Sequence, residues 1–542
     1  MGIKRYTATG DTTITNAYRS NLTTRGTGSN MGRADSLEVF SIYAQESSGS
    51  SELSRILLNF PATTISADRT SGTLPASGSV KFYLRMFNAV TPFTVPRDFT
   101  LRIAAVSGSR KNNTDGVLED VDLNWQEGNG IDMEQYTDVT RDGIGANWIN
   151  LGSSSANGTV KWGTNGNAVG GVYYEDADSA FAQNFSDGTE DLEVDVTGII
   201  EQWIAGTKPA YGIGVHLTAS QEVYVAPGDA STNVPANTDG ARRSYYTKKF
   251  FARSSEFFYK RPIIEARWDS ATKDDRGNFF YSSSLATADE NLNTLFLYNY
   301  FRGQLRNIPN LTDELIYVSF YSGSADDTAP SGSRLILVKD GTHVADASAI
   351  FVTGGVTTTA GIYTASVCLT AAATPLETIY DVWSGGFVIS NENTLVEVHT
   401  GSFSPTKINI SQQNPSTTFV TSITNLKSIY KTAETARFRV FTRQKDWNPS
   451  IYTKAVAATP PYIVESGSYA VTRVIDGVEA IPYGTGSDLH TQLSFDISGS
   501  YFDLDMGMLE PGYSYKISFA YYNGSIGDWE EQPHEFKFRV EE

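Results

Sequence analysis

Hydrophobicity in this chain repeats with a period of two. Near one end, Tyr513, Tyr515, Ile517, Phe519 and Tyr521 alternate with Ser514, Lys516, Ser518 and Ala520. Successive side chains of an extended strand point to opposite faces, so this run presents an apolar face to a core and a polar face to water. Phe536, Phe538 and Val540 alternate with Lys537, Arg539 and Glu541, and Phe438, Val440 and Thr442 oppose Arg437, Arg439 and Arg443. Phe82, Leu84 and Met86 repeat the pattern early in the chain. Such runs recur about every 8–15 residues between Gly, Pro, Asn and Asp clusters. Asn523-Gly524 and Asp476-Gly477 each follow a run and predict hairpin turns. Helical signals are few. Ile199 to Ile204 can form two turns, with Thr197 as N-cap and Gly206 as the stop. Thr287-Ala288-Asp289-Glu290 has a capping-box pattern. The stretch from Thr294 to Phe301 reads better as a strand than as a helix.

A chain of 542 residues is too long for one core and predicts about three or four domains. Two composition shifts divide it. Asp269–Asn278 is charged and follows an apolar strand ending at Trp268; Gly401–Asn414 is rich in Ser and Pro. The expected domains are 1–270, 271–402 and 403–542, the last two of about 130–140 residues, a usual size for a β-sandwich with long loops.

Composition narrows the chemistry. One Cys and five His exclude a disulfide framework, a zinc ribbon and an iron–sulfur protein. Cys368 sits in an apolar alternation and reads as a small buried hydrophobe. No window approaches ~18 consecutive apolar residues, so no membrane span is expected. Residues Met1 to Tyr6 carry no apolar leader, and Tyr6 breaks a myristoylation motif, so synthesis in a reducing cytosol is the expectation. The net charge of −19 argues against nucleic acid or an anionic membrane as a general partner.

Candidate catalytic and metal residues are scattered. His216 lies in an apolar strand; His343, His399, His490 and His534 lack the spacing of a metal site. Glu127, Asp195 and Glu201 are candidates for the carboxylate pair of a glycosidase, and surface roles in a β-sandwich are the stronger reading. Asp187–Asp191 and Asp115–Asp122 are acidic loops offering hard oxygen ligands for calcium, without EF-hand spacing. The expectation is no catalytic set, no cofactor and no metal. The charge anomaly is a basic strip: Arg242, Arg243, Lys248, Lys249, Arg253, Lys260, Arg261 and Arg267, against Glu256 and Glu265. Aromatic residues from Tyr245 to Tyr259 interleave with it. It reads as an interface with an acidic partner or neighbouring subunit, ahead of a single-strand nucleic-acid platform or edge strands blunted by Lys and Arg.

In the N-terminal half, ordered motifs carry a resemblance. They are Trp125-Gln126-Glu127-Gly128-Asn129-Gly130, Asn147-Trp148, Trp162-Gly163, Asp195-Val196-Thr197 leading to a short helix, Gly212-Ile213-Gly214-Val215, and Phe251 to Glu256 followed by Pro262-Ile263-Ile264. This order resembles the DNRLRE (disaggregatase-related) family over about residues 6–268. Departures are the loose serine spacing around Ala252 and Ser255 and the long insertion Tyr224–Tyr246. The resemblance implies a jelly-roll β-sandwich like carbohydrate-binding modules, and brings no catalytic set. Trp125, Trp148 and Trp162 are then candidates for a glycan platform, against the reading that they pack in the core.

The C-terminal half resembles structural proteins of tailed phages, particularly contractile-tailed cyanophages. The segments are Phe438 to Pro449, Ile481 to Gly486, Leu509 to Tyr513 and Glu531 to Phe538. The whole reading is an all-β, multi-domain chain: an N-terminal jelly-roll β-sandwich followed by two smaller, Ig-like β-sandwiches. The expected role is non-enzymatic, as a neck, fibre, tail or baseplate-peripheral component of a virion assembled in the host cytoplasm. Its partners would be other virion proteins and copies of itself. A carbohydrate-binding adhesin contacting a host glycan is the alternative, and a polysaccharide depolymerase stands behind it.

Overall fold

The period-two runs become antiparallel strands in a computed structural model. It describes all residues except 1, 44–50, 92–94, 108, 113–117, 121–123, 132–144, 155–157, 164–167, 232, 325, 343–347, 358, 372–375, 390–391, 407–418, 446–450, 452–460, 485 and 525. The chain is all-β and forms two units, Ile3–Trp268 and Asp269–Glu542.

In Ile3–Trp268, one sheet has the strand order Ile3–Thr7, Ile263–Arg267, Lys81–Met86, Leu192–Asp195. The opposing sheet runs Ala180–Phe185, Phe99–Ala105, Ile213–Leu217, Glu52–Asn59, Ser36–Tyr43, Ser244–Phe251, and Gly10–Thr15 also pairs with Glu52–Asn59. The alternation does what it predicts: Phe82, Leu84, Met86 and Ile264 meet Val39, Ile56, Ile103 and Phe250 in one buried cluster. A third, small sheet includes Asn150–Ser154 and Gly158–Trp162.

The expected helix is Thr197–Ala205, burying Ile199, Ile200 and Trp203. Its N-cap is Val196 rather than Thr197. Thr197 is instead a clamp, its hydroxyl donating to Asp195 Oδ1 at 2.6 Å and accepting from Phe82 N at 2.9 Å. Gly206 ends the helix in the left-handed conformation, φ 69°. A second helix, Ala62–Thr70, has no sequence signal because only Ile65 is buried and no apolar stripe exists. Arg69 on it pairs with Glu201 at 2.6 Å, which ties the two helices together.

In Asp269–Glu542, one sheet has the order Asn293–Tyr298, Ile362–Val367, Val352–Val356, Leu311–Gly323, Ile379–Ile389, Glu392–Phe403. Its core gathers Phe279, Leu295, Phe320, Tyr363, Trp383 and Phe403. Two further sheets pack face to face. The first is Phe419–Ile423, Thr435–Gln444, Gly499–Asp505, Ser494–Asp496; the second is Ile429–Lys431, Phe536–Glu541, Ser514–Asn523, Gly467–Arg473, Glu479–Ile481. Aromatic rings fill the gap, with Phe502 stacked on Tyr469 at 4.1 Å and on Phe438 at 5.0 Å.

Local signals fare unevenly. The expected strand from Thr294 is Asn293–Tyr298, but Tyr300–Phe301 leaves it to form a hairpin with Gln304–Leu305. The Thr287–Glu290 pattern makes its side-chain bonds, Glu290 Oε2 accepting from Thr287 N at 2.9 Å and Oγ1 at 3.0 Å, yet starts no helix because the strand follows at Asn293. Asn523-Gly524 begins a longer loop, closed by the pair Asn523–Asp528. The charged segment read as a domain boundary is structured. Lys273 bridges Phe495 in parallel, Asp274 N donates to Phe495 O at 3.1 Å, and Phe495 N donates to Thr272 O at 3.1 Å. Most of the second boundary signal, 407–414, lies outside the described residues.

Gly206 makes a clean test of the helix stop. A Cβ there meets nothing within 4 Å, so Gly206→Ala introduces backbone strain alone. The expected loss is about 1 kcal/mol in urea denaturation, with Gly206→Asn losing less.

Candidate functional site

The three tryptophans proposed as a glycan platform are core residues. Trp125 is 4% exposed, Trp148 and Trp162 are 0%, and all three lie in one cluster with Ile14, Leu57 and Val160. Each indole N–H is satisfied internally: Trp125 donates to Tyr211 O at 2.7 Å, Trp148 to Asn233 O at 2.8 Å and Trp162 to Asn147 O at 2.9 Å. A buried ring offers no face to a sugar, so the platform assignment is corrected.

The surrounding motif is a latch. Asn30 Nδ2 donates to Glu127 O at 2.6 Å and Ala146 O at 2.9 Å, and Asn30 Oδ1 accepts from Gly130 N at 2.9 Å. The backbone approaches so closely that a Cβ on Gly130 would lie 1.5 Å from Asn30 O, which explains glycine there. Glu127 Oε1 accepts from Asp11 N at 2.9 Å and from Arg253 Nη2 at 2.6 Å. Asp11 Oδ2 accepts from Arg253 N at 2.5 Å. Burial pushes the Asp11 carboxyl up to about 7, the neighbouring Glu127 adding to this and Arg253 opposing it.

The basic strip is not one face. Lys248 is buried, and its ammonium donates to Asn88 Oδ1 at 2.8 Å, Gly188 O at 3.1 Å and Glu190 O at 2.7 Å. Burial lowers its pKa to about 8. An internal ammonium therefore holds the Asp187–Asp191 loop. Lys249 pairs with Glu38 at 2.6 Å, Arg253 with Glu127, and Arg261 donates to Ser255 O. Lys260 packs over Phe251 at 5.2 Å. Arg267 is buried against Glu265 and Glu193. Arg242 and Arg243 are the exposed members. The eight-residue interface is thus corrected: strand alternation and loops send Lys248, Lys249, Arg253, Lys260, Arg261 and Arg267 to separate internal partners and leave Arg242 and Arg243 at the surface.

Arg267 belongs to the densest charge cluster of this unit. Glu265 is fully buried and accepts from Arg5 Nε at 2.6 Å, Arg85 Nη1 at 3.3 Å and Arg267 Nε at 2.8 Å. Glu193 adds bonds to Arg267 at 2.7 Å and Arg85 at 3.1 Å. Strand register creates the cluster, since Arg5 faces Glu265 and Glu193 faces Arg85. Burial pushes the Glu265 carboxyl up, but Arg5, Arg85 and Arg267 outweigh it and hold the group far below the usual carboxylate range.

The other candidates have separate places. Glu127, Asp195 and Glu201 are tied to Arg253, Thr197 and Arg69 respectively, and do not form a carboxylate pair. His216 Nδ1 lies 2.8 Å from Leu217 O; burial, with Arg55 nearby, lowers its pKa to about 3 and keeps it neutral. His490 is buried, and His343 lies outside the described residues, as does most of the Asp115–Asp122 loop. Among the described residues, no group of three or more His, Cys, Asp and Glu side chains could hold a metal ion. No described helix is long and apolar enough to cross a membrane. Cys368 is buried, and burial pushes its thiol pKa up.

Sequence reasoning missed a concavity in Asp269–Glu542. It measures about 210 Å³ and is lined by Tyr298, Tyr300, Arg437, Tyr501, Asp503 and Ser270 among others. These positions come from segments far apart in sequence, and Arg437 shows locally only as the polar side of a strand.

No protein-family model and no curated protein matches the sequence. Among solved structures, a DUF4785 family protein from Legionella pneumophila aligns over 85% of this chain and 90% of its own, at 7% identity and a TM-score of 0.13. A likeness of that size assigns neither fold nor role.

Two substitutions separate the buried acids. Asp11 has a folded pKa above its unfolded value of ~3.9, so its contribution is present below ~4 and lost as pH rises through 7. Asp11→Asn therefore gains relative to wild type between pH 5 and pH 8, on the order of 2–4 kcal/mol, in denaturant titrations at the two pH values. Glu265 has the opposite sign: its contribution is present above ~4.3 and persists to very low pH. Glu265→Gln leaves three guanidiniums facing one carboxylate and is expected to cost about 3–5 kcal/mol at pH 7.

Proposed function

We propose that this chain is a non-enzymatic structural protein of a tailed-phage virion that works through contacts with other virion proteins and with copies of itself. The virion part rests on the resemblance of the C-terminal segments. What supports a contact role is an edge strand with exposed side chains. Ser244–Phe251 ends its sheet, and residues 87–89 cover its second half through Ala89 N to Lys249 O at 3.0 Å and Phe251 N to Phe87 O at 3.1 Å. By strand alternation, Tyr245 and Thr247 direct their backbone N–H and C=O groups to that same outer side. Tyr245 is 66% exposed and its cross-strand partner Ile42 is 39% exposed. A strand edge with exposed apolar side chains is a template for a strand of another chain. Arg242 and Arg243 beside it suit an acidic partner, and this chain itself carries a net charge of −19.

The non-enzymatic part is supported by where the carboxylates are used. Those that could act on a glycosidic bond hold arginines or helix ends in place. Particles purified from the host, imaged by electron microscopy and weighed by mass spectrometry, are expected to contain the chain at a fixed copy number. Thr247→Pro removes an outward N–H without breaking the internal ladder, and should abolish incorporation while circular dichroism stays unchanged. A stable monomer absent from purified virions would overturn the reading.

A further inference from the structure

The concavity in Asp269–Glu542 is built from both of its sandwiches. Tyr298 belongs to the strand Asn293–Tyr298, and Tyr300 to the hairpin Tyr300–Leu305. Arg437 comes from Thr435–Gln444, and Tyr501 and Asp503 from Gly499–Asp505. Ser270 and Thr272 lie on the charged segment that joins the sandwiches.

The lining is fixed in position. Arg437 grips Asp503 in a bidentate pair at 2.8 and 2.9 Å, and its guanidinium stacks 4.4 Å from the Tyr501 ring. The Tyr298 hydroxyl interacts with the hydroxyls of Tyr501 and Thr272. At the rim, Tyr300 is 59% exposed; the neighbouring Phe301, outside the lining, is 55% exposed. Arg302 and Arg306 lie 5.4 and 6.0 Å from the Phe301 ring.

Three properties select a ligand class. Within the lining, Arg437 is paired with Asp503, so that pair offers a phosphate or carboxylate no unopposed cation and a cation no unopposed anion, and Arg302 and Arg306 lie outside the lining residues. The exposed Tyr300 ring and the half-buried Tyr298 ring stand with the hydroxyls of Ser270 and Thr272, a surface for a molecule carrying both C–H faces and hydroxyls. A volume of about 210 Å³ is below the 300–1,000 Å³ usual for drug-sized ligands and suits a single ring.

We propose that this cleft binds one neutral sugar ring, with Tyr300 covering it from the rim and the Tyr298–Tyr501 pair and the Arg437–Asp503 pair orienting its hydroxyls. The site is separate from the edge strand Ser244–Phe251, so this binding does not depend on the assembly role.

The test is saturation-transfer NMR on the full chain at millimolar ligand. The probes are methyl glucoside, galactoside, mannoside and N-acetylglucosaminide, with glucuronate and sialic acid as charged comparators. At least one neutral glycoside is expected to bind, with the charged sugars weaker. Tyr300→Ala should weaken that glycoside at least tenfold, and Ser270→Trp, an exposed position at the cleft, should abolish binding with the circular dichroism spectrum unchanged. Absence of binding by every neutral probe, equal binding of the charged sugars, or binding unaffected by both variants would overturn the assignment.

Discussion

The Arg276 guanidinium fastens the segment that joins the sheet systems of Asp269–Glu542. Its Nη1 donates to Asp274 Oδ2 and to Phe296 O, each at 2.6 Å. Its Nη2 and Nε reach Asp381 Oδ2 at 2.5 and 3.2 Å, where Trp383 Nε1 also donates at 2.6 Å. Asp381 is fully buried in the core strand Ile379–Ile389. Asp274 bonds through its backbone to Phe495 in the other sandwich. The segment therefore joins two sheet systems, its backbone pairing with Phe495 and its Arg276 tying it to Phe296 and Asp381. Burial lowers the guanidinium pKa, but Asp381 and Asp274 outweigh it and keep the group charged. A buried pair of this kind adds little over an apolar replacement, yet removing one partner strands the other charge. Next to it, Thr294 N donates to Asp275 Oδ2 at 2.6 Å, and burial pushes that carboxyl up to about 6.

The same use of charge recurs in Ile3–Trp268. Glu265 with Arg5, Arg85 and Arg267 crosses three strands. Arg55 pairs with Glu222 at 3.0 Å while lying 5.6 Å from the Trp148 ring. Lys248 caps a loop. Only 19% of the residues are charged, and many of those named here serve as internal fasteners.

Strand alternation was legible because it is local: Phe82, Leu84 and Met86 declare their buried face without knowledge of any partner. The helix at Thr197–Ala205 was legible for the same reason, through Ile199, Ile200, Trp203 and Gly206. Partners across long sequence distances were not. Arg5 and Glu265 are 260 residues apart, and Arg276 and Asp381 are 105 apart. The basic strip looked continuous because sequence order ignores alternation, which sends Lys248 inward and Lys249 to Glu38. The tryptophans were ambiguous because an indole serves a core and a platform equally until its N–H partner is known. The charged run at Asp269–Asn278 reads as a domain boundary by composition, although Arg276 makes it the joint between two sandwiches.

Hydrogen–deuterium exchange on the full chain tests that joint directly, comparing wild type with Arg276→Met. If the guanidinium fastens the segment that joins both sheet systems, exchange accelerates together at Asn293–Tyr298, Ile379–Ile389 and Ser494–Asp496. Acceleration confined to one sandwich, or unchanged protection at all three strands, would contradict the role given to Arg276.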